Sequence, residues 1–455
     1  MVLQLNLSGN ELCGLDNEGG DGTYNAEGIT AIADALRVNG GLTKISLSHN
    51  ELGEEGTKAI CEALEQNKTL KELDISGFGN PRNIGGTAGV KHVAKMLGVK
   101  GGLTSINMSA NNLTDSGRDM TGIKELAAAL GVNSGLTKMS LARNQLEEEG
   151  TKAICEALEQ NKTLKELDIS GDGFGASNIG GSAGAKHVTK MLGVNVGLTS
   201  LNLCENQLCG IWTDDCGKQK GTYTADGITA ITDALLVNGA LTSVKLWGNQ
   251  LGDKGWGAIF AAICGNKDSK IMSLFAASEN IGPAGGKLIA EALRTSVTGG
   301  LTSIDLSRNQ LCGIWTDRYG DLHGDYTAEG ITAIADALRV NGGLTVTNLL
   351  HNSLDAESAK MLAEAAKQKG ISLCGIRRDQ TTADFSKQKL KPHDTILLAS
   401  DLSQAVVTGA LTSLDLSKNQ LCGVDILGRG HHYTTEGITA IADALRVNGA
   451  LTKIE

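Results

Sequence analysis

Thiol and imidazole side chains are the first candidates for chemistry, and they occur without a recognised spacing. Cys422 is followed by His431 and His432, a set of groups that could bind a metal ion. Cys209 and Cys216 could form a disulfide within one loop. Known zinc and disulfide frameworks have other spacings, so we expect neither a bound metal nor a cofactor. The chain also has no P-loop, no H-E-x-x-H helix and no paired C-x-x-C, so the sequence favours a protein without catalysis of its own.

Exposed aromatic side chains are the alternative source of function, because tryptophan and tyrosine dominate the energetics of protein interfaces. Lys245, Trp247 and Phe275 stand where the neighbouring repeats described below carry small polar residues. We interpret these three residues as a candidate protein-binding hot spot. The alternative is that they pack on neighbouring side chains of the same sheet face.

Long insertions between repeats hold a second set of aromatic candidates. Trp212, Trp315 and Tyr319 lie in insertions that follow the sequence Leu-Cys-Gly. They are candidates for protein binding, or they fill a small core within each loop. The other four tyrosines each precede an isoleucine by five residues, a frame that predicts a hydrophobic staple at a helix start. These are Tyr24, Tyr223, Tyr326 and Tyr433.

Aspartates recur at one strand position in four repeats. They are Asp74, Asp168, Asp305 and Asp415. Such a set favours a basic partner surface, and Asp305 is included among the candidate protein-binding residues. The alternative is a solvated acidic face with no partner, because exposed charges contribute little when they are separated.

These candidates are positioned by a repeated element. The unit reads L-T-x-[LI]-x-L-S-x-N-x-L, followed by a Gly/Ala-rich helix, and residues 42–52 show it clearly. In a strand the leucines point to one side and the intervening residues to the other. In the first helix, Gly28, Ala31, Ile32, Ala35 and Leu36 lie at helical spacing and predict one inward face. The chain holds thirteen such repeats and the opening strand of a fourteenth.

An asparagine closes the strand motif in most repeats. We expect these side chains to bond the backbone where the strand turns, since a buried group left unpaired costs about 1–3 kcal/mol. The predicted turn asparagines are Asn10, Asn50, Asn111, Asn144, Asn206, Asn249, Asn309, Asn352 and Asn419.

The repeat resembles the leucine-rich repeat of the long ribonuclease-inhibitor-like class, which is also found in NOD-like receptors and Ran GTPase-activating proteins. The resemblance implies an α/β fold: a right-handed solenoid, or horseshoe, with a parallel β-sheet on the concave face and α-helices on the convex face. It also implies a protein partner that binds the concave face and the loops at its rim.

Composition excludes several other classes of protein. The chain has 455 residues and a net charge of -10, and it contains no basic block, so we expect no nucleic-acid partner. No apolar run approaches the ~18 residues of a membrane span, and the start of the chain does not read as a signal peptide. Cysteines without a disulfide framework favour a reducing compartment, so we expect a cytoplasmic protein that does not associate with membranes.

The repeats predict one solenoid domain over residues 1–455, built in blocks of three repeats. Residues 57–77 recur unchanged as residues 151–171, which indicates growth by duplication. Residues 371–410 are a degenerate repeat, with a strand at 371–376, an insertion at 377–391 and a helix that begins at Pro392. No polar cap is visible at either end, which predicts either a longer parent protein or end-to-end association of chains.

The sequence therefore predicts a non-catalytic scaffold or sensor that binds a protein. Two alternatives stay open: a regulator of a small GTPase resembling the Ran-activating proteins, and the sensing fragment of a NOD-like receptor.

Overall fold

A computed structural model describes residues 3–15, 22–78, 83–99, 102–173, 175, 177–214, 218–297, 300–317, 322–423 and 433–455. The chain forms two compact units, Met1–Gln250 and Leu251–Glu455.

Eight strands of the first unit form one parallel sheet, in which they lie in the same order as along the chain. Between the seventh and the eighth of these strands the chain forms a separate two-stranded ribbon. Neighbouring strands pair in register, so that Ile45, Leu73 and Ile106 stand side by side. These three side chains are buried, whereas the residues on either side of them point away from the core. The sheet strands are β1 (Gln4–Asn6), β2 (Lys44–Ser46), β3 (Glu72–Asp74), β4 (Ser105–Asn107), β5 (Lys138–Ser140), β6 (Glu166–Asp168), β7 (Ser200–Asn202) and β10 (Ser243–Lys245), and the ribbon is β8 (Ile211–Thr213) with β9 (Gln219–Gly221).

One helix separates each sheet strand of the first unit from the next, and each helix packs against the next one along the chain. These helices are α1 (Glu27–Val38), α2 (Gly53–Gln66), α3 (Gly86–Gly98), α4 (Thr121–Val132), α5 (Glu147–Gln160), α6 (Gly181–Val194) and α7 (Asp226–Val237). The predicted alternation of helices and parallel strands is confirmed.

The second unit contains two short parallel sheets and a second ribbon. Its first sheet joins β11 (Ser273–Phe275), β12 (Ser303–Asp305) and β15 (Val346–Asn348), and a single bridge pairs Val346 with Ser372. Its second sheet joins β16 (Thr382–Asp384), β17 (Ser413–Asp415) and β18 (Lys453–Ile454), and the ribbon pairs β13 (Trp315–Thr316) with β14 (Leu322–His323). The helices are α8 (Gly252–Gly265), α9 (Pro283–Arg294), α10 (Glu329–Val340), α11 (Ala356–Lys369), α12 (Pro392–Leu402), α13 (Ala405–Thr408) and α14 (Glu436–Leu445).

The inward face predicted for the first helix is wrong in its details. In α1 the buried residues are Ile29, Ala33 and Leu36. Helix α10 has the same sequence but packs between α9 and α11, and there Gly330, Ile334 and Ala337 are buried as well. Most residues of the predicted stripe are therefore buried only where a second helix covers them. The residues that face the core in α1 each directly follow a residue of the stripe, as Ile29 follows Gly28 and Ala33 follows Ile32.

The degenerate repeat contains more regular structure than its sequence indicates. Residues 371–376 supply only the bridge at Ser372, whereas the segment interpreted as an insertion holds strand β16. Strand β16 pairs with β17 in the usual register, so that Ala383 stands beside Leu414. The motif escapes notice because Gln388 replaces its asparagine and Ala383 its central leucine. Helix α12 begins at Pro392, as predicted.

Candidate protein-interaction surfaces

Lys245 and Trp247 lie on the outward side of the last sheet strand of the first unit. Val244 and Leu246, which alternate with them, are buried. Trp247 is 51% exposed, although its indole is large and apolar. On the same face, Lys44 forms an ion pair with Glu72, and Lys138 forms one with Glu166, each at 2.9 Å. Trp247 therefore adds a large apolar surface to a strand face that carries charged pairs elsewhere.

The thiol of Cys204 is buried next to this tryptophan. Burial raises its pKa to about 12, against the opposing effects of the backbone N–H of Trp247 and the charge of Lys245. The thiol stays protonated at neutral pH, so it is a poor nucleophile and a poor metal ligand.

Phe275 and Asp305 are brought together in the second unit. They are directly paired on β11 and β12, and Asn348 is the next residue across the sheet. Phe275 is 65% exposed. One carboxylate oxygen of Asp305 accepts hydrogen bonds from the backbone N–H of Ser307 at 2.9 Å and from its hydroxyl at 2.7 Å, and the other accepts one from Asn348 at 3.3 Å.

The other recurring aspartates close the same small turn. Asp74 and Asp168 accept from the N–H and hydroxyl of the serine two residues later, and Asp415 accepts from the N–H of Ser417. Aspartate followed by serine at this spacing is a known local turn pattern, which the sequence contains and our interpretation as an acidic binding set did not use. These carboxylates stabilise the ends of strands.

The described parts of the insertions that carry Trp212 and Trp315 each form a short antiparallel ribbon. In the first ribbon Trp212 stands opposite Lys220, and the Lys220 ammonium lies 3.3 Å from the carboxylate of Asp214. In the second ribbon Trp315 stands opposite His323, and their rings stack with centroids 4.4 Å apart. His323 Nε2 lies 3.2 Å from the Asp317 carboxylate. The third candidate, Tyr319, lies outside the described residues.

Two tyrosines of the shared local frame contact the helix of the following repeat. The Tyr24 hydroxyl donates to the carbonyl of Leu52 at 2.7 Å and accepts from the N–H of Gly56 at 3.3 Å, at the start of α2. The Tyr326 hydroxyl lies 2.7 Å from the Ser358 hydroxyl at the start of α11. These tyrosines satisfy polar groups at a helix N-terminus, a role that needs the hydroxyl and not only the ring.

A ladder of buried asparagines runs along one end of the first sheet. Asn144 shows the pattern: its Oδ1 accepts from the N–H of Asn111 at 2.8 Å, and its Nδ2 donates to the carbonyls of Met108 and Ala142. Each asparagine thus bonds its own strand end and that of the preceding repeat. The members in this unit are Asn50, Asn83, Asn111, Asn144, Asn178, Asn206 and Asn249, and Asn10 donates its N–H to Asn50.

Asn83 and Asn178 belong to this ladder although the sequence did not mark them as members. Five and six residues, respectively, separate them from the glycine that ends the strand motif, Gly77 or Gly171. Both asparagines nevertheless make the ladder hydrogen bonds, because Asn83 donates to the carbonyls of Leu47 and Ile75 and Asn178 donates to those of Leu141 and Ile169. The signal is the sequence Asn-Ile-Gly that follows both insertions.

The ladder of the second unit is built from mixed residues. Asn309 accepts from the N–H groups of Glu279 and Ile281, each at 3.0 Å, and Asn419 accepts from Leu390 N–H at 3.0 Å. Glu279 occupies an asparagine position, and its carboxylate accepts from the indole N–H of Trp256 at 3.2 Å. Asn352 donates to the carbonyls of Leu306 and Leu349, but its Oδ1 is buried without a hydrogen-bond partner among the described residues.

Two aspartates of this unit are fully buried and accept hydrogen bonds. Asp394 accepts from the N–H of His351 at 2.7 Å, and the rings of His351 and His393 approach its carboxylate to 4.0 and 3.6 Å. Asp401 accepts from the Ser372 hydroxyl and from the N–H groups of Leu373 and Cys374. Burial raises the pKa of Asp401 to about 7, against these donors, which favour the charged form.

Metal binding finds no support in the described part of the chain. No group of three or more His, Cys, Asp and Glu side chains there could hold a metal ion. Of the residues named for a metal site, His431 and His432 lie outside the described residues, as does Cys216 of the suggested disulfide. Within the same described ranges, no helix is both long and apolar enough to cross a membrane.

Comparison with known proteins gives the repeat an independent identification. A family model described as "Leucine Rich repeat" matches residues 42–61. The chain is 24% identical over 283 residues to the ribonuclease inhibitor of Mus musculus, covering 62% of this chain and 55% of the relative. It is 30% identical over 178 residues to the NACHT, LRR and PYD domains-containing protein 13 of Homo sapiens, covering 39% and 13%. It is 24% identical over 438 residues to the protein CARMIL of Dictyostelium discoideum, covering 93% and 38%. The chain thus spans about half or less of the length of these relatives.

Proposed function

Because the chain is a leucine-rich-repeat protein of the ribonuclease-inhibitor-like class, we propose that it is a non-catalytic scaffold that binds a protein partner. Its contacts are the outward faces of its parallel strands and the ribbons that project beside them. The ribonuclease inhibitor, by its name, acts on another protein, and binding is the activity this chain would share with it. Nine cysteines of the described chain are free thiols, which supports a cytoplasmic location.

The observation that carries this proposal is the exposure of Trp247 and Phe275. At the corresponding positions most repeats carry serine, asparagine or aspartate, which leave little apolar surface in water. An indole 51% exposed and a phenyl ring 65% exposed leave apolar surface that a partner could cover. Lys245 beside Trp247, and Asp305 beside Phe275, supply polar contacts at the edges of the two patches.

Capture of a partner by the full chain tests the proposal. Wild type, Trp247→Ala and Phe275→Ala are immobilised, and the proteins that wild type retains from a lysate of the source organism are identified by mass spectrometry. We expect each variant to weaken binding of the purified partner about 30-fold, the factor for a hot-spot residue of ~2 kcal/mol. Far-ultraviolet circular dichroism should be unchanged, because both side chains are exposed.

The matched control is Val132→Ala at the end of α4, where the side chain is 75% exposed on a helix rather than on a strand. It should bind the partner like wild type. Equal binding by wild type and by both aromatic variants would rule out the two strand faces as the binding surface.

A further inference from the structure

We infer that the ribbon of β13 and β14 binds a glycine-bearing turn of a protein partner, with Trp315 as the contact surface for that glycine. The inference rests on the proposed function, because it names what one of the exposed aromatic side chains binds. It comes from comparing this ribbon with the ribbon of β8 and β9, where a glycine of the chain itself packs on the equivalent tryptophan.

The two ribbons share one construction. Both begin after Leu-Cys-Gly, and a tryptophan stands opposite a basic or titratable residue, Lys220 or His323. The stems are equally tight: a Cβ on Gly221 would lie 2.1 Å from the carbonyl oxygen of Gly210, and a Cβ on Gly324 would lie 2.1 Å from that of Gly313. Trp212 and Trp315 therefore occupy equivalent places on equivalent supports.

In the first unit a turn of the preceding repeat covers the tryptophan. A Cβ built on Gly175 would lie 2.5 Å from Cζ3 and 2.6 Å from Cε3 of Trp212, so the glycine backbone rests directly on the indole. Gly175 has a φ of +94°, which other residues rarely adopt. Its carbonyl accepts a hydrogen bond of 2.7 Å from the side-chain amide of Gln207. Trp212 is half-buried as a result.

The second unit lacks that turn. Two backbone contacts identify the equivalent residues of the two units. The N–H of Gly171 donates to the carbonyl of Cys204, as the N–H of Ser278 donates to that of Ser307. The N–H of Asn178 donates to the ladder residue Asn206, as the N–H of Glu279 donates to Asn309. Six residues separate Gly171 from Asn178, whereas Glu279 directly follows Ser278. The residues that would cover Trp315 are thus missing from the chain, and Trp315 is 41% exposed.

The hydrogen-bond donor for the turn is nevertheless kept. Gln310 is equivalent to Gln207, and its side-chain amide donates to the side-chain oxygen of Asn280 at 3.0 Å, an exposed contact that a partner's carbonyl could replace. One side of the Trp315 ring is stacked on His323, which holds the indole in place. The site therefore fits a turn with a left-handed glycine and an available carbonyl, the two features that Gly175 presents to Trp212 and Gln207 in the first unit.

The chain's own turn supplies the probe. A fluorescent peptide with the sequence of residues 171–179, blocked at both ends, is titrated with the full-length protein and followed by anisotropy. We expect Trp315→Ala to weaken binding about 30-fold, and the peptide with Gly175→Ala to bind wild type at least tenfold more weakly, because its methyl group would overlap the indole. Trp247→Ala is the matched control and should bind the peptide like wild type.

Absence of binding, equal binding by Trp315→Ala, or equal binding of the two peptides would each overturn the inference. None of these results touches the strand faces, so the proposed function would then stand on the capture experiment with Trp247→Ala and Phe275→Ala. If capture fails while the peptide still binds through Trp315, the strand-face proposal falls and the ribbon remains a binding site.

Discussion

The two units of the chain use different residues to bond the backbone polar groups at their strand ends. In the first unit, an asparagine at each strand end bonds its own repeat and the preceding one, and the pattern continues from Asn50 to Asn249. In the second unit, Glu279 stands at one ladder position, and the Asn352 side-chain oxygen has no hydrogen-bond partner among the described residues. The comparison shows that asparagine is not required at every ladder position, because Glu279 takes one position and the acceptor oxygen of Asn352 is unused among the described residues.

Where Glu279 replaces the ladder asparagine, the preceding helix, α8, carries two large aromatic side chains. In α8, Trp256 and Phe260 stand where α2 carries Thr57 and Cys61, and both aromatic side chains are fully buried. The Trp256 indole fills space in the core and also donates to the Glu279 carboxylate. A buried carboxylate is tolerable only with such donors.

Trp256→Ala should therefore produce the largest loss of stability. We expect about 3–5 kcal/mol, since it leaves a large cavity and removes a hydrogen bond from a buried carboxylate. Thr57→Ala, at the equivalent position of the first unit, removes one buried hydrogen bond to the carbonyl of Ile84 and should cost about 1 kcal/mol. Urea unfolding followed by circular dichroism measures both. Equal costs would mean that the two units do not differ at this position.

Ladder asparagines should come next, with a difference between the units. Asn206→Ala removes the acceptor for the N–H groups of Asn178 and Ile179 and the donor for two carbonyls, and should cost about 1–3 kcal/mol. Asn352→Ala removes only donors, because its Oδ1 bonds nothing among the described residues, and should lie near the lower end, at about 1 kcal/mol. The same unfolding assay compares the two variants. A neutral Asn206→Ala would contradict the structural role of the first ladder.

The smallest expected effect is a pH dependence confined to the second unit. Burial lowers the pKa of His351 and of His393 below the usual value of about 6.5, although the Asp394 carboxylate opposes the shift. As pH falls below 6.5 the unfolded chain takes up protons before the folded chain does, so these histidines contribute stability that is lost on acidification. Asp401, with its raised pKa, acts in the opposite direction over part of this range.

The histidine contribution is isolated by a matched variant. Urea midpoints of wild type and of the double variant His351→Gln/His393→Gln are compared at about pH 7.5 and about pH 5. Wild type should lose more stability than the variant between these pH values. A variant that loses as much as wild type would show that the histidines do not carry the effect.

Much of this architecture could be predicted because it is periodic. Leucine spacing fixed which strand residues are buried, and the asparagine at the strand end marked most of the ladder. Prediction failed where a position depends on the neighbouring repeat: whether α1 or α10 buries a given residue is decided by the helices beside it. It also failed where another residue type replaces the ladder asparagine, as at Glu279. The sequence does not show that this carboxylate accepts a hydrogen bond from the Trp256 indole.

Candidate sites were harder to predict than the fold. Lys245, Trp247 and Phe275 could be marked because they interrupt a column of small polar residues. The antiparallel ribbons could not, since no periodic pattern distinguishes Ile211–Thr213 from an irregular loop. The turns closed by Asp74 and Asp168 carry a short local signal, aspartate followed by serine, that is easily taken for a charged surface.

The two identical segments, residues 57–77 and 151–171, also have the same surroundings. Thr57 donates to Ile84 and Thr151 to Ile179, each at 3.2 Å, and Asn67 and Asn161 each donate to the end of the preceding helix. Unequal recombination between the two copies would add or remove 94 residues without creating an unfamiliar junction. Such recombination can thus lengthen or shorten this protein in steps of three strands, about 14 Å of sheet at ~4.8 Å per strand.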